Sequence, residues 1–337
     1  MAVIRIKGFL IDKLECYEIW RNNKCFTRKH KKHTYPLINN DYILLDLPYY
    51  SNIGDTLIWE GTKEYLETLP YKCLYYASKD SFIYRNLPKN VVILLQGGGN
   101  FGDLYRLHSE FRKKIIELYP YNKVIILPQT AFYKDRQKLI IDAEFYSQHK
   151  NVTICAREQY TYDLLKKHFK NEILLMPDMA FYINLCKYKI QKEEDRVLYL
   201  KRIDKEFVDN NINDYMPVNI ETHDWPTYGH GYRKVFWVES FFSVLKHLAK
   251  AIHVNSQYII RLDDLKRFYF YRPFYVQLGV NFLCPYSKIY TTRLHVMILG
   301  LLLGKKLVLI NNSSGKIWNY YETWLKEIDS IELFRKK

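Results

Sequence analysis

The segment Gln96-Gly97-Gly98-Gly99-Asn100-Phe101-Gly102-Asp103 stands directly after an apolar run at 91–95 and directly before a helix-forming stretch. Glycines let backbone N–H groups approach a ligand closely, and a helix start adds partial positive charge. Such a loop suits a phosphate or a carboxylate. The same glycines would also serve a tight turn with close strand–helix packing. Gly97, Gly99 and Gly102 satisfy the spacing G-x-G-x-x-G, but a dinucleotide site also needs an acidic residue at the end of the next strand. That strand ends Leu127-Pro128-Gln129-Thr130, with no carboxylate, so a nicotinamide dinucleotide is set aside.

Other chemistry-bearing residues fall at similar junctions. Asn52-Ile53-Gly54-Asp55 opens a helix; Asp55 is either its N-cap or a carboxylate able to take a proton from an attacking hydroxyl. Thr292-Arg293-Leu294-His295 follows another apolar strand. Arg293 offers a planar fork for an anion, and His295 can move a proton near neutral pH. Arg202, Asp178 and Lys316 each follow a strand candidate, and each could equally be a surface or capping residue.

The elements that would position these residues are apolar runs alternating with amphipathic stretches. Strands are predicted at 42–47, 72–76, 91–95, 124–127, 152–155, 173–176, 196–200, 288–290 and 306–310. Helices are predicted at 55–66, 103–118, 135–149, 158–169, 234–252 and 294–303. This alternation reads as α/β with mainly parallel sheets. A polar segment at 186–194 suits a linker. The chain is therefore divided into a basic amphipathic lead-in (1–40) and two Rossmann-like doubly wound domains (41–186 and 195–337) facing a cleft. Ligands of such sheets sit beyond the carboxyl ends of the strands, where all of the candidates lie.

With 337 residues the chain is long enough for two cores. Its formal charge of +15 favours anionic partners. Residues 1–33 alone hold nine Lys or Arg against three acids. No nucleic-acid motif accompanies this charge, and the basic residues gather at one terminus rather than along a repeated face, so no nucleic-acid partner is expected. The 31 tyrosines suit a carbohydrate or membrane-interface surface, or reflect compositional drift. The six cysteines show no metal-ligand spacing, so no metal is expected, and reduced thiols in a cytoplasmic protein account for them. The longest apolar run, 296–303, is less than half of the ~20 residues needed to span a bilayer. The lead-in and the aromatic cluster Lys266-Arg267-Phe268-Tyr269-Phe270-Tyr271-Arg272-Pro273-Phe274-Tyr275 could rest peripherally on an anionic membrane; the cluster could also be a core helix with snorkelling cations.

Taken in order, these motifs resemble the polysaccharide pyruvyl transferases. The resemblance runs through Asn52–Asp55, Gln96–Asn100, Pro128-Gln129-Thr130, Ala156-Arg157-Glu158, Pro177-Asp178, Tyr199–Arg202, Arg293-Leu294-His295 and Gly315-Lys316. It implies a GT-B-like pair of domains, phosphoenolpyruvate as donor, and a sugar of a lipid-linked or polymeric capsule or exopolysaccharide precursor as acceptor, with no cofactor. It also implies that Arg293, Leu294 and Arg202 bind the donor, helped by Gly98, Gly99, Asn100 and Lys316. His295 then handles the proton, Asp55 or Asp178 activates the acceptor, and Asn52, Gly54 and Gln129 bind it. Where the family commonly has Arg-Asp or Arg-Lys-Asp, this chain has Arg202-Ile203-Asp204. The competing assignment is a GT-B-type glycosyltransferase, whose nucleotide-sugar diphosphate would use the same loop and arginine.

Overall fold

The computed structural model describes residues 37–201, 219–226, 233–311 and 315–334. They form an α/β fold of two parallel sheets. The first contains β1 (Tyr42–Leu45), β2 (Cys73–Tyr76), β3 (Val92–Leu95), β4 (Gly98–Gly102), β5 (Val124–Phe132), β6 (Val152–Ala156) and β7 (Glu172–Leu175). Its order is β2-β1-β3-β5-β6-β7, with β4 paired to β5. The second contains β8 (Arg196–Leu200), β9 (Ile220–His223), β10 (Tyr286–Thr291), β11 (Lys306–Leu309) and β12 (Ile331–Leu333), in the order β12-β11-β10-β8-β9. In each sheet the first strand lies between the second and third, so the winding reverses beside β1 and again beside β8. Such a reversal opens a crevice at the carboxyl ends of the strands.

Sequence alternation explains the layering. Ile43 and Leu45 of β1 and Ile93 and Leu95 of β3 enter one core layer. Tyr42 and Leu44, with Val92 and Leu94, enter the layer on the opposite face. The helices covering these layers are α1 (Ile53–Leu66), α2 (Arg106–Leu118), α3 (Arg136–Ser147) and α4 (Gln159–His168). In the second half, α5 (Arg233–Ala251), α6 (Ser256–Lys266) and α7 (Arg272–Leu283) connect β9 to β10. α8 (Leu294–Leu302) and α9 (Lys316–Trp324) follow.

One apolar cluster joins the halves: Ile53 and Leu57 of α1 pack with Phe181, Leu198, Val280, Leu294 and Ile298. Polar links add to it. Ser81 Oγ donates to Asp264 Oδ1 at 2.6 Å, Arg261 donates to the Tyr76 carbonyl at 2.8 Å, and Arg272 is ion-paired with buried Glu60. The polar segment after the short 3-10 turn Leu185–Lys187 carries the chain from the first sheet to β8.

One expectation changes. The glycine segment does not run straight into a helix: Gly98–Gly102 is strand β4, and α2 starts only at Arg106. Gly97 and Gly102 serve packing, because a Cβ on Gly97 would lie 2.7 Å from the Pro128 carbonyl oxygen. At Gly102 it would lie 2.0 Å from the Phe132 carbonyl oxygen, with φ at +108. Gly102→Ala is therefore expected to cost about 3 kcal/mol in urea unfolding. An unchanged unfolding midpoint would contradict this. The aromatic cluster at 266–275 is mixed: Lys266, Tyr271, Arg272 and Tyr275 are buried, Arg267, Phe268, Pro273 and Phe274 are half-buried, and Tyr269 and Phe270 are exposed.

Candidate functional site

Both crevices open into one cleft of about 350 Å³. The first sheet lines it with Asn52, Gly54, Asp55, Gly99, Asn100 and Arg157; the second contributes Arg293, Leu294, His295 and Lys316. The N-termini of α1, α8 and α9 all supply lining residues, so three partial positive charges converge there.

Asn52, not Asp55, caps α1: its Oδ1 accepts from the Asp55 N–H at 3.3 Å. Asp55 is left to face the cleft, where its Oδ2 accepts from the Tyr50 hydroxyl at 3.0 Å. A carboxylate so placed can receive a proton from a bound hydroxyl.

Gly54 has a different function. A Cβ there would sit 2.7 Å from His295 Nδ1 and 3.2 Å from Asn52 Oδ1, so only glycine lets the imidazole lie against α1. The other ring nitrogen, Nε2, lies 3.5 Å from Asp178 Oδ2. Gly54→Ala is expected to displace this ring and lower kcat about tenfold or more, with little loss of thermal stability. Wild-type turnover in this variant would show that the close approach is dispensable.

Asp178 reaches the cleft only through its neighbours, being fully buried. Arg157 donates to its Oδ2 at 2.8 Å, Ala180 N–H to its Oδ1 at 2.8 Å, and its own N–H donates to the Tyr320 hydroxyl at 2.9 Å. Burial pushes the Asp178 carboxyl up, but the hydrogen bond and charge of His295 and the charge of Arg157 outweigh it and hold the pKa at about 2. Asp178 thus holds Arg157 and His295 as an ionised anchor.

Arg293 follows β10. Its N–H donates to Thr291 Oγ1 at 3.0 Å, and Asp224 grips its guanidinium through both carboxylate oxygens at 2.6 and 2.7 Å. Lys316 opens α9 behind Gly315, whose φ of +63 turns the chain into the helix. A Cβ on Gly99 would lie 3.5 Å from an Arg157 nitrogen and 3.8 Å from Lys316 Nζ, so cations from both sheets meet at this glycine. Gly98, at φ +140, lies beside Asn100 and Asp55. Gln129 is buried beneath the loop and donates to the Gln96 carbonyl at 2.7 Å; it is not a lining residue. Arg202 lies outside the described residues.

Five lining residues were not assigned a role from the sequence: Tyr50, Tyr105, His108, Arg157 and Trp225. Arg157 sits directly after β6, so the strand-end rule that singles out Asp178 points to it equally. His108 is two residues into α2, and its Nδ1 is 2.7 Å from Oδ1 of buried Asp46, which also pairs with buried Arg112 at 2.8 Å. Asp46 directly follows β1 with φ at +65, and only folding brings it to His108. Trp225 follows β9, a strand with no apolar run to announce it. Among the described residues, no group of three or more His, Cys, Asp and Glu is arranged to hold a metal ion. No described helix is long and apolar enough to cross a membrane.

Known proteins resemble this chain over most of its length. EpsO of Bacillus subtilis (strain 168), named there as a candidate pyruvyl transferase, is 31% identical over 300 residues, covering 88% of this chain and 89% of EpsO. Pyruvyl transferase 1 of Schizosaccharomyces pombe is 28% identical over 300 residues, covering 84% of this chain and 69% of that protein. The crystal structure of a functionally uncharacterized protein of Klebsiella pneumoniae shares the fold at a TM-score of 0.57 and 21% identity, covering 94% of this chain and 98% of that one. The sequence profile of the polysaccharide pyruvyl transferases matches residues 52–314. With its matched span running from the first crevice to the second, the chain belongs to the polysaccharide pyruvyl transferase family.

Proposed function

We propose that this chain transfers the enolpyruvyl group of phosphoenolpyruvate to a pair of sugar hydroxyls, closing a pyruvate ketal. The acceptor is assigned as a lipid-linked or polymeric precursor of a bacterial surface polysaccharide, with a hexose such as galactose ketalised at its 4 and 6 positions. On this reading the two sheets are a GT-B-like pair facing one cleft, in the cytoplasm. The observation that carries it is the convergence of Arg157, Arg293, Lys316 and three helix N-termini on a cleft where, among the described residues, Asp55 is the one lining carboxylate. A small donor bearing both a carboxylate and a phosphate matches that charge.

The steps then follow from where the groups sit. Arg293, Arg157 and Lys316, with Arg202 by its place after β8, hold the donor anions; Leu294, Gly98, Gly99 and Asn100 shape the floor. His295, backed by Asp178, delivers a proton to the methylene carbon and leaves an electrophilic C2. Asn52 and Gly54 border the acceptor, with Gln129 supporting the loop, and Asp55 accepts the proton of the attacking hydroxyl. The first sugar oxygen bonds to C2. The second hydroxyl then displaces phosphate from C2, and its proton leaves with the buffer or the phosphate. One phosphoenolpyruvate and two hydroxyls become one ketal and one inorganic phosphate.

Product analysis tests the reading. With phosphoenolpyruvate and a hexose-containing acceptor, the expected products are free phosphate and a pyruvylated sugar. Release of a nucleotide from a nucleotide sugar, with no phosphate from phosphoenolpyruvate, would replace the reading with glycosyl transfer.

A further inference from the structure

Tyr50 lies in the loop between β1 and α1 and lines the cleft with its side chain 40% exposed, yet it has no part in the steps above. Its ring is held at two points. The hydroxyl donates to Asp55 Oδ2 at 3.0 Å. The ring meets the imidazole of His108 edge to face, with centroids 6.1 Å apart and planes at 73°. His108 is itself anchored, because its Nδ1 is 2.7 Å from Oδ1 of buried Asp46, whose Oδ2 lies 2.8 Å from buried Arg112. An aromatic ring is thus fixed at the cleft surface by contacts that begin in the core. Burial of the phenol oxygen and the charges of Asp55 and Asp46 push its pKa well up, so it stays a donor to Asp55.

Two parts of the cleft suit different ligands. Arg157 and Lys316 gather at Gly99, which suits an anion. The part around Tyr50 offers an aromatic ring and the carboxylate of Asp55. An anion there would be opposed by Asp55. A neutral pyranose would not: its apolar C–H face matches an aromatic ring, and the hydroxyls on its rim can donate to a carboxylate.

We propose that Tyr50 is the platform on which the acceptor sugar stacks, its ring taking the apolar face of the pyranose while its hydroxyl holds Asp55 toward the sugar hydroxyls. This role rests on the cleft being the site of pyruvyl transfer. One side chain then couples sugar recognition to the positioning of the base. Two variants of the full chain separate the two functions: Tyr50→Phe keeps the ring and loses the hydroxyl, and Tyr50→Ala loses both. Phosphate release is measured with phosphoenolpyruvate and methyl β-galactoside as the acceptor, beside calorimetric titration with phosphoenolpyruvate alone. Tyr50→Ala is expected to raise the acceptor KM about tenfold while phosphoenolpyruvate binding stays as in the wild type. Tyr50→Phe is expected to restore the acceptor KM to within about twofold of wild type and to lower kcat about tenfold. An unchanged acceptor KM in Tyr50→Ala, or an equal weakening of phosphoenolpyruvate binding, would overturn the platform. Wild-type kcat in Tyr50→Phe would overturn the coupling to Asp55. Turnover by the wild type without this split sinks the role of Tyr50 alone, whereas a wild type that releases no phosphate removes the pyruvyl-transfer reading and the role with it.

Discussion

Arg293→Ala is expected to lower kcat/KM for phosphoenolpyruvate by about 10³-fold, the loss typical of removing a preorganised donor from developing charge. The side chain is built for this effect. Asp224 fixes its guanidinium through two oxygens, and Thr291 fixes the backbone at the head of α8. Truncation would remove the cation from the cleft and take from Asp224 the guanidinium it holds. Arg293→Lys should recover little, because an ammonium cannot reproduce a planar fork. Steady-state phosphate release, with circular dichroism to confirm the fold, is the check. Turnover near the wild-type level in the Ala variant would remove Arg293 from the donor site.

The second large effect is expected at Asp178. Asp178→Asn removes the nearer of the two carboxylates beside buried Arg157 and leaves Glu158 at 3.8 Å, and breaking a buried pair costs about 3–5 kcal/mol. It also removes the anchor behind His295, so kcat should fall by about 10²-fold or more. The pH dependence identifies the charge as the cause. The folded pKa of Asp178 is held at about 2, below the ordinary value of 3.8. Its ionised form therefore contributes its full stabilisation above the ordinary carboxylate range and loses it as the pH falls toward 2. The gap in unfolding free energy between wild type and Asp178→Asn should accordingly be constant near neutrality and shrink below about pH 4. A gap that stays the same down to about pH 3 would mean that packing, not the carboxylate charge, supplies the difference.

How much of this was legible in the sequence depended on what each residue has to do. Strands β1, β3 and β5 are buried on both faces, so they appear as unbroken apolar runs, and the residues after them could be located. Asn52, Asp55, Arg293, His295 and Lys316 all came from that rule. β9 carries Ile220, Glu221, Thr222 and His223 at a partly exposed edge, and β12 has only three residues, so neither has a recognisable run. With β9 unread, Trp225 and Asp224 beyond it were unread too. α6 and α7 were hidden because 256–283 mixes charges and aromatics on every side, some of them binding the two halves together: Arg272 pairs with Glu60 and Asp264 with Ser81. The glycine segment was legible as a ligand loop, but its division of labour was not. Gly97 and Gly102 answer to carbonyl oxygens of β5, whereas Gly99 lines the cleft and Gly98 is buried beside Asn100 and Asp55, and only the pairing of β4 with β5 separates them. His108 gave no signal at all, since its partner Asp46 lies 62 residues away in sequence.

The most direct test of the central claim is calorimetric titration with phosphoenolpyruvate, run with and without an acceptor sugar, on wild type and Arg293→Ala, beside a panel of nucleotide sugars. The account predicts saturable phosphoenolpyruvate binding by the wild type, loss of that binding in Arg293→Ala, and no heat from the nucleotide sugars. Binding of a nucleotide sugar with no response to phosphoenolpyruvate, even with acceptor present, would contradict it and make the cleft a glycosyl-transfer site.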